Sequence, residues 1–380
     1  MKRIVIMGST GSVGTQALDI IRHHRDKFKI VGLTTHQNTD KLHEQIAEFN
    51  PEAVCIADEE KAESFHTHVQ LFKGNEGLKE IAVLDYDLLI NAVVGSSGLV
   101  PTLEAIRKGI TIGLANKETL VLAGEIVMRE AALHNVAIIP IDSEHSALFQ
   151  SLKSGRNTEI QNLILTMGKG KIAEMSPEQL ENVSMTDIFS RPAWNMGNKI
   201  TIDSATCMNK AFEVIEAKWL FGVEPQQIKV IVHPDYICHS IVEFCDGSMI
   251  TELGTADMRR YTQYALFYPQ RAIAAISAFM DLCGKTLRFE KPPLEKFPCL
   301  RMGHTVLEMG GIMPAVLHGA DYSAVKAFMD NKIGFMDIPK IIAATLQKTQ
   351  NIENPTIEQI IAAEKEAQNT AQEEILACVR

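Results

Sequence analysis

The sequence has little of what marks a secreted, membrane-spanning or nucleic-acid-binding protein. Its seven cysteines, at 55, 207, 238, 245, 283, 299 and 378, are odd in number and fall at no metal-ligand spacing. That is the pattern of reduced thiols in a cytoplasmic chain, not of a disulfide framework. Long apolar runs are missing too: the first, Ile4-Val5-Ile6-Met7, ends at Gly8, too short for a signal sequence or a bilayer span. Positive charge is scarce, with 37 Lys and Arg against 47 Asp and Glu and a formal net charge of −10. This excludes a general nucleic-acid surface and leaves only local basic pockets. Internal repeats and low-complexity segments are absent as well. At 380 residues the chain exceeds the single-core range, so two or three domains are expected.

What is present begins at the first strand. Lys2 to Met7 reads as a short buried strand, followed by Gly8-Ser9-Thr10-Gly11-Ser12-Val13-Gly14 and a helix with apolar Ala17, Leu18, Ile20 and Ile21. Strand, Gly-rich turn and helix form the phosphate cradle of a dinucleotide-binding domain. The glycine spacing is G-x-x-G-x-x-G instead of G-x-G-x-x-G. A second strand, Phe28 to Leu33, runs into Thr34-Thr35-His36-Gln37-Asn38, with no acid before Asp40. An acid there would bind the ribose 2′-hydroxyl of NAD and repel the extra phosphate of NADP. NADPH is therefore the expected cofactor, with His36, Gln37 and Asn38 as candidate contacts.

Two further stretches carry metal and anion chemistry. The run Val136 to Ile141 reads as a buried parallel strand ending in Asp142-Ser143-Glu144, where residues two apart point the same way. In Asp203-Ser204-Ala205-Thr206-Cys207-Met208-Asn209-Lys210 and the helix after it, Asn209 and Glu213 are four apart and share a face. Asp142, Glu144 and Glu213, with no Cys or His at ligand spacing, suit Mg²⁺ or Mn²⁺ better than Zn²⁺. Ser204, Asn209 and Lys210 supply hydroxyl, amide and ammonium donors near a helix start, where an anion is favoured. Taken singly, each acid has an ordinary alternative: Asp142 a helix cap, Glu144 a solvated first-turn acid, Glu213 half of a surface ion pair. His145 reads as a cap of the following helix, His233 and His239 as hydrogen-bonded histidines, Glu216 as a partner of a nearby Lys, and Cys207 as a small buried residue.

Apolar runs alternate with helical patterns up to about residue 150, as in βαβ units. Leu88 to Gly95 and Thr111 to Ala115 read as further parallel strands, the second ending in Asn116-Lys117-Glu118. Ile160 to Thr166 and Ile228 to His233 read as strands, and Ser240 to Phe244 with Ser248 to Leu253 as a hairpin around Cys245-Asp246-Gly247. Residues 267–299 are Pro-containing and aperiodic. Beyond Leu300, Ala324 to Met329, Ile338 to Gln347 and Ile357 to Ala377 have helical spacing. The expectation is an α/β chain with an N-terminal Rossmann-like dinucleotide-binding domain (1–141), a central α+β catalytic and dimerisation domain (142–266), a connecting segment (267–299) and a C-terminal helical bundle (300–380).

The ordered blocks GSTGSVG, AVVGSSGLVPTLEAI, LANKETLV, PIDSEHSALFQSL, ITIDSATCMNKAFEVIEAKWLFG and DGSMITELG resemble 1-deoxy-D-xylulose 5-phosphate reductoisomerases. The resemblance implies NADPH-dependent rearrangement and reduction of that sugar phosphate to 2-C-methyl-D-erythritol 4-phosphate, a step of non-mevalonate isoprenoid synthesis. It implies Mg²⁺ or Mn²⁺ on Asp142, Glu144 and Glu213, and Lys117 near the substrate hydroxyls and the nicotinamide. Ser143 would contact the substrate, Ser204, Asn209 and Lys210 its phosphate, and Trp194 with Met196 would cover the site from a mobile loop. Gly8 belongs to the nucleotide turn, and Thr10, Gly11, Ser12, Val13, Asn38, Asn116 and Glu118 match cofactor contacts. A cytoplasmic homodimer, paired through the central sheet, is also implied, with neither nucleic acid nor membrane as a partner.

Several blocks depart from the family pattern. L-T-x-S-G-G-P-F is Leu165-Thr166-Met167-Gly168-Lys169-Gly170-Lys171-Ile172 here, so a phosphate-binding serine becomes Gly168. Lys169 and Lys171 restore charge but not a short hydroxyl contact. H-P-x-W-x-M-G begins with Arg191, H-P-Q-S-V-I-H-S reads His233-Pro234-Asp235-Tyr236-Ile237-Cys238-His239-Ser240, and N-A-A-N-E reads His318-Gly319-Ala320-Asp321-Tyr322. These departures leave two alternatives beside the reductoisomerase: a paralogous NADPH- and metal-dependent enzyme for another phosphorylated or carboxylated polyol, or a catalytically weak binding or regulatory member.

Overall fold

The structure, a computed structural model, describes residues 1–189, 197–274 and 276–378. Contacts divide the chain into two compact units: Met1–Thr119, Glu125–Gln150 and Gly254–Leu282 in one, Leu120–Gly124, Ser151–Leu253 and Cys283–Arg380 in the other. Neither unit is a continuous stretch of chain. The finer division at 141, 266 and 299 stands as a proposal about separately folding pieces, which limited proteolysis tests.

The first part of the chain runs β1 (Lys2–Met7), α1 (Ser12–His23), β2 (Phe28–Thr35), α2 (Thr39–Phe49), β3 (Ala53–Ile56), α3 (Glu59–Glu63) and β4 (Gln70–Lys73). It continues with α4 (Gly74–Ala82), β5 (Leu88–Asn91), α5 (Leu99–Arg107), β6 (Thr111–Leu114), α6 (Glu118–Leu133), β7 (Ile138–Pro140) and α7 (Ser143–Ser151). The strands form one seven-stranded sheet in the order β4-β3-β2-β1-β5-β6-β7, with every pairing parallel. Such strands are covered on both faces, which is why β1, β3 and β5 read as unbroken apolar runs. The order turns at β1, flanked by β2 and β5, and ligands of such sheets bind beyond the carboxyl ends at that point.

Strands β5, β6 and β7 end earlier than their apolar runs suggest, at Asn91, Leu114 and Pro140. The chain beyond is drawn into turns held by side chains: Asn91 Nδ2 donates to Thr102 Oγ1 at 2.7 Å and to Gly98 O at 3.3 Å. A helix from later in the chain, α12 below, completes this unit.

The second unit starts with β8 (Ile160–Met167), α8 (Pro177–Glu181), α9 (Met185–Phe189), α10 (Asn198–Ala205) and α11 (Met208–Phe221). Then come β9 (Ile228–Val232), β10 (Cys238–Phe244) and β11 (Met249–Leu253), and a four-stranded sheet in the order β11-β10-β8-β9. β8 pairs parallel to β9 and antiparallel to β10, and β10 with β11 forms the expected hairpin. Helix α12 (Met258–Phe267) returns to the first unit, where Phe267 meets Phe28 edge-on at 4.8 Å and Lys2 Nζ donates to Leu266 O at 2.8 Å.

The chain ends in α13 (Cys299–Met309), α14 (Met313–Met329), α15 (Asp337–Lys348) and α16 (Ile357–Cys378). α14 begins well before Ala324 because residues 313–321 are buried all round, and a helix without a polar face shows no period in its sequence. With α11 and α13 these helices enclose a core of Phe212, Ile215, Leu317, Phe328 and Phe335. Among the described residues no helix is long and apolar enough to cross a membrane.

Candidate active site

In the first unit the glycine turn is a backbone construction. Gly8 has φ +78, in the left-handed region, and a Cβ there would lie 2.4 Å from Ala92 O. A Cβ on Gly14 would lie 2.3 Å from Gly8 O, so the start of α1 packs directly onto the end of β1. Gly11 N donates to Gly8 O at 3.0 Å, and Gly11 caps α1 without a side-chain hydrogen bond. The first-turn N–H groups of Ser12 and Val13 therefore have no capping side chain, and a dinucleotide phosphate is suited to that position.

Beside the turn, Thr10 Oγ1 and Thr35 Oγ1 share a hydrogen bond of 2.7 Å, and the Asn38 side chain caps α2 by accepting from Lys41 N at 3.2 Å. Lys41 is a residue that sequence reasoning missed. Its Nζ donates to Thr10 O at 3.2 Å, which brings a cation to the glycine turn although residues 36–38 carry none beyond a histidine. The signal was its place in the first turn of the helix after β2.

At the carboxyl ends of β5 and β6, Asn116 is buried and donates from Nδ2 to Val93 O (3.1 Å), Gly95 O (2.9 Å) and Glu118 Oε2 (2.8 Å). Glu118 Oε1 in turn accepts from Gly95 N at 3.2 Å. Two predicted cofactor residues thus hold the loop between β5 and α5.

Lys117 is next in sequence. Its Nζ donates to Asp142 Oδ2 at 2.7 Å, with each side chain 12% exposed. Burial pushes the Asp142 carboxyl up, but the Lys117 ammonium and the neighbouring His145 outweigh it and hold the group well below the usual carboxylate range. Asp142 is thus part of a largely buried ion pair. His145 is also reassigned: it is fully buried inside α7, with Nδ1 3.7 Å from Asp142 Oδ2. Ser143 Oγ donates to Glu144 Oε2 at 2.5 Å.

In the second unit, Cys207 adopts a left-handed conformation (φ +65) between α10 and α11. Its thiol is pushed up to about 12 by burial, which argues against a nucleophile. One face of α11 then presents three of the predicted residues. Asn209 Nδ2 donates to Glu213 Oε1 at 2.6 Å, and Lys210 Nζ donates to Glu213 Oε2 at 2.5 Å and to Thr166 O at 2.6 Å. Glu213 is 1% exposed, so its pairing is buried and not a surface contact. Ser204 is exposed, with Oγ donating to Ile200 O at 2.7 Å.

Behind these residues lies a charge cluster that motif reading did not find. Lys199 Nζ bridges Asp203 Oδ2 (2.7 Å) and Asp321 Oδ2 (2.5 Å) and stands 5.5 Å from the Phe212 ring centroid. Burial pulls the Lys199 ammonium down, but the two carboxylates dominate and keep it above its usual range. His318 Nδ1 lies 2.8 Å from Glu364 Oε1. Lys169, offered as a compensating cation, is paired with Glu290 at 2.9 Å. Trp194, Met196 and Arg191 lie outside the described residues.

Comparisons with known proteins identify the family. Residues 4–124 match the family model for 1-deoxy-D-xylulose 5-phosphate reductoisomerase, and residues 138–221 and 253–370 match models of its C-terminal domains. The 1-deoxy-D-xylulose 5-phosphate reductoisomerase of Thermoanaerobacter pseudethanolicus is 47% identical over 371 residues, 96% of this chain and 97% of that protein. That of Chlorobium chlorochromatii is 44% identical over 378 residues, 98% of this chain and 99% of the other.

Among solved structures, the Zymomonas mobilis reductoisomerase in complex with NADPH superposes with a TM-score of 0.92 at 33% identity, covering 98% of this chain and 99% of that one. A reductoisomerase in complex with NADPH, fosmidomycin and magnesium gives a TM-score of 0.93 at 36% identity, covering 99% and 98%. The chain belongs to the 1-deoxy-D-xylulose 5-phosphate reductoisomerase family.

Proposed function

We propose that the chain converts 1-deoxy-D-xylulose 5-phosphate to 2-C-methyl-D-erythritol 4-phosphate with NADPH and a divalent metal ion, in the non-mevalonate isoprenoid pathway. One observation carries this beyond family membership: the glycine turn after β1 and the Lys117–Asp142 pair after β6 and β7 lie along the same carboxyl edge of one parallel sheet. A nucleotide cradle and a buried, charged pair on one edge are what a cofactor-dependent reaction needs.

The residues fit both groups. The turn leaves no room for a Cβ at Gly8 or Gly14, so at those two positions only backbone would face a pyrophosphate. Gly8, Thr10, Gly11, Ser12, Val13, Asn38, Asn116 and Glu118 bind NADPH, and Lys41 adds the cation that favours the 2′-phosphate. Asp142 and Glu144 in the first unit and Glu213 in the second are the proposed ligands, and carboxylate donors suit Mg²⁺ or Mn²⁺. When bound, NADPH supplies the hydride and the metal ion polarises the substrate oxygens.

Lys117 donates to substrate hydroxyls, and its pairing with Asp142 keeps that carboxylate ionised for a cation. Ser143 contacts the substrate, while Ser204, Asn209 and Lys210 take its phosphate.

The protein acts in the cytoplasm as a homodimer. Pairing through the four-stranded sheet is supported by Met249 and Ile250, which are exposed on the edge strand β11 at 56% and 37%. Sedimentation of a Met249→Lys/Ile250→Lys variant tests this and should shift toward the monomer. The reaction itself is tested by NADPH oxidation with 1-deoxy-D-xylulose 5-phosphate and Mg²⁺ or Mn²⁺, with a metal-free control. Metal-dependent formation of 2-C-methyl-D-erythritol 4-phosphate is expected, and absent turnover with intact NADPH binding would sink the assignment.

A further inference from the structure

Gly168 follows directly on β8, and its backbone is not in the left-handed region. Nothing in its dihedral angles requires glycine; a neighbour does. A Cβ built on Gly168 would lie 2.0 Å from both Cζ and Oη of Tyr236 and 2.1 Å from Cε1. The polar end of the phenol therefore fills the space into which any side chain at 168 would grow.

Tyr236 is held there by the turn that carries it, and it is itself left-handed at φ +51, a conformation that an L-residue keeps only when its surroundings enforce it. His233 supplies much of that enforcement. Its Nε2 accepts from Ile237 N at 3.1 Å, which leaves Nδ1 to donate to Arg288 O at 2.7 Å, and its ring stacks on Phe289 at 4.9 Å. Its backbone N donates to Met167 O at 2.7 Å, tying the turn to the end of β8. Asp235 pairs with Arg288 at 2.6 Å.

The same strand end receives Lys210, whose Nζ donates to Thr166 O. Consecutive residues 166, 167 and 168 thus meet, in turn, the Lys210 ammonium, the His233 main chain and the Tyr236 phenol. Lys169, next along, is turned to Glu290.

We propose that Tyr236 donates its hydroxyl to the substrate's phosphate, in the place that a serine at 168 would otherwise serve. This rests on the reading that Lys210 and Asn209 face that phosphate. A phenol is a neutral donor at pH 7, and its bond to a phosphate oxygen is charge-assisted. Its length lets the donor come from the turn after β9, while the strand itself keeps only a glycine beneath the ring.

The test uses the full-length protein. Tyr236→Phe keeps the ring on Gly168 and removes only the hydroxyl. It should raise KM for 1-deoxy-D-xylulose 5-phosphate about tenfold with kcat nearly unchanged, and weaken competitive inhibition by inorganic phosphate by a similar factor. NADPH affinity should not move. Tyr236→Ser alone should also raise KM, and Gly168→Ser/Tyr236→Ser, which restores a hydroxyl on the strand, should recover much of the loss. An unchanged KM and phosphate inhibition in Tyr236→Phe, or a double variant no better than Tyr236→Ser, would overturn the assignment. If Lys210→Met likewise leaves phosphate inhibition intact, the underlying reading of the phosphate pocket fails with it. A Lys210 effect without a Tyr236 effect refutes the tyrosine alone.

Discussion

The proposed cofactor region of the first unit and the proposed anion region of the second are built from different materials. Around Gly8 and Gly14 the cradle is backbone, packed so closely that a single methyl group would meet a carbonyl oxygen at 2.4 or 2.3 Å. Around Lys210 the polar groups are side chains of α11 and of the turn carrying Tyr236, with one main-chain carbonyl, Thr166 O, from the end of β8. A backbone cradle admits one solution, so its sequence is tightly specified. A side-chain pocket can lose a hydroxyl at one position and gain one at another, provided that the shape is kept. This accounts for a chain that keeps the glycine turn and the acids while the resembled pattern changes at 168 and 236.

Four substitutions sharpen or break that contrast. The largest effect is expected for Glu213→Gln, which removes a proposed metal ligand and the negative charge beside Lys210. Metal-dependent turnover should fall by about 10²-fold or more, with NADPH affinity, followed by fluorescence titration, little changed. Equal loss of both would show that the two regions are not separable. Gly14→Ala should come next, weakening NADPH binding by roughly tenfold to a hundredfold, since the new methyl must push α1 off β1. An alanine variant with native cofactor affinity would end the argument that this region is specified by its backbone.

Lys41→Met tests the one side-chain cation proposed for the cofactor region. NADPH should bind about tenfold more weakly while NADH is unaffected, and the difference should shrink with added salt. Equal losses for both cofactors would make Lys41 a structural support of the turn.

The smallest effect concerns pH. Asp142 is depressed, so its pairing with Lys117 contributes stability that is present above the ordinary carboxylate pKa of about 4 and is lost as pH falls through the depressed folded value. Lys117→Met should therefore lower the melting temperature most at neutral pH, and the gap from the unmodified protein should close in acid. A gap that stays constant with pH would mean that the pair adds no linked stability.

Much of the first unit was legible in the sequence because its signals are local. β1, the glycine turn and α1 are consecutive, and each step follows from apolar burial, tight turning or helical period. The pairing of Asn209 with Glu213 was legible for the same reason, a spacing of four on one helix. The departures at Gly168 and Tyr236 were visible as residue changes, but not as one event, because the two positions lie far apart in the chain and meet only where the His233 turn closes onto β8. His145 was read as a cap because its neighbours in sequence suggest a helix start; its burial beside Asp142 depends on what packs around α7.

By itself, then, the sequence determined the parallel sheet, the cofactor turn, the family and the set of acids suited to a hard cation, since these follow from spacing within single elements. Tertiary structure decided which charges are partnered. Lys117 with Asp142, Lys199 with Asp203 and Asp321, and Lys41 with Thr10 O depend in whole or in part on contacts between different elements. The physical reason is that hydrogen bonds and ion pairs act over about 3 Å, a distance that chain order alone does not specify once two residues belong to separate strands, helices or loops.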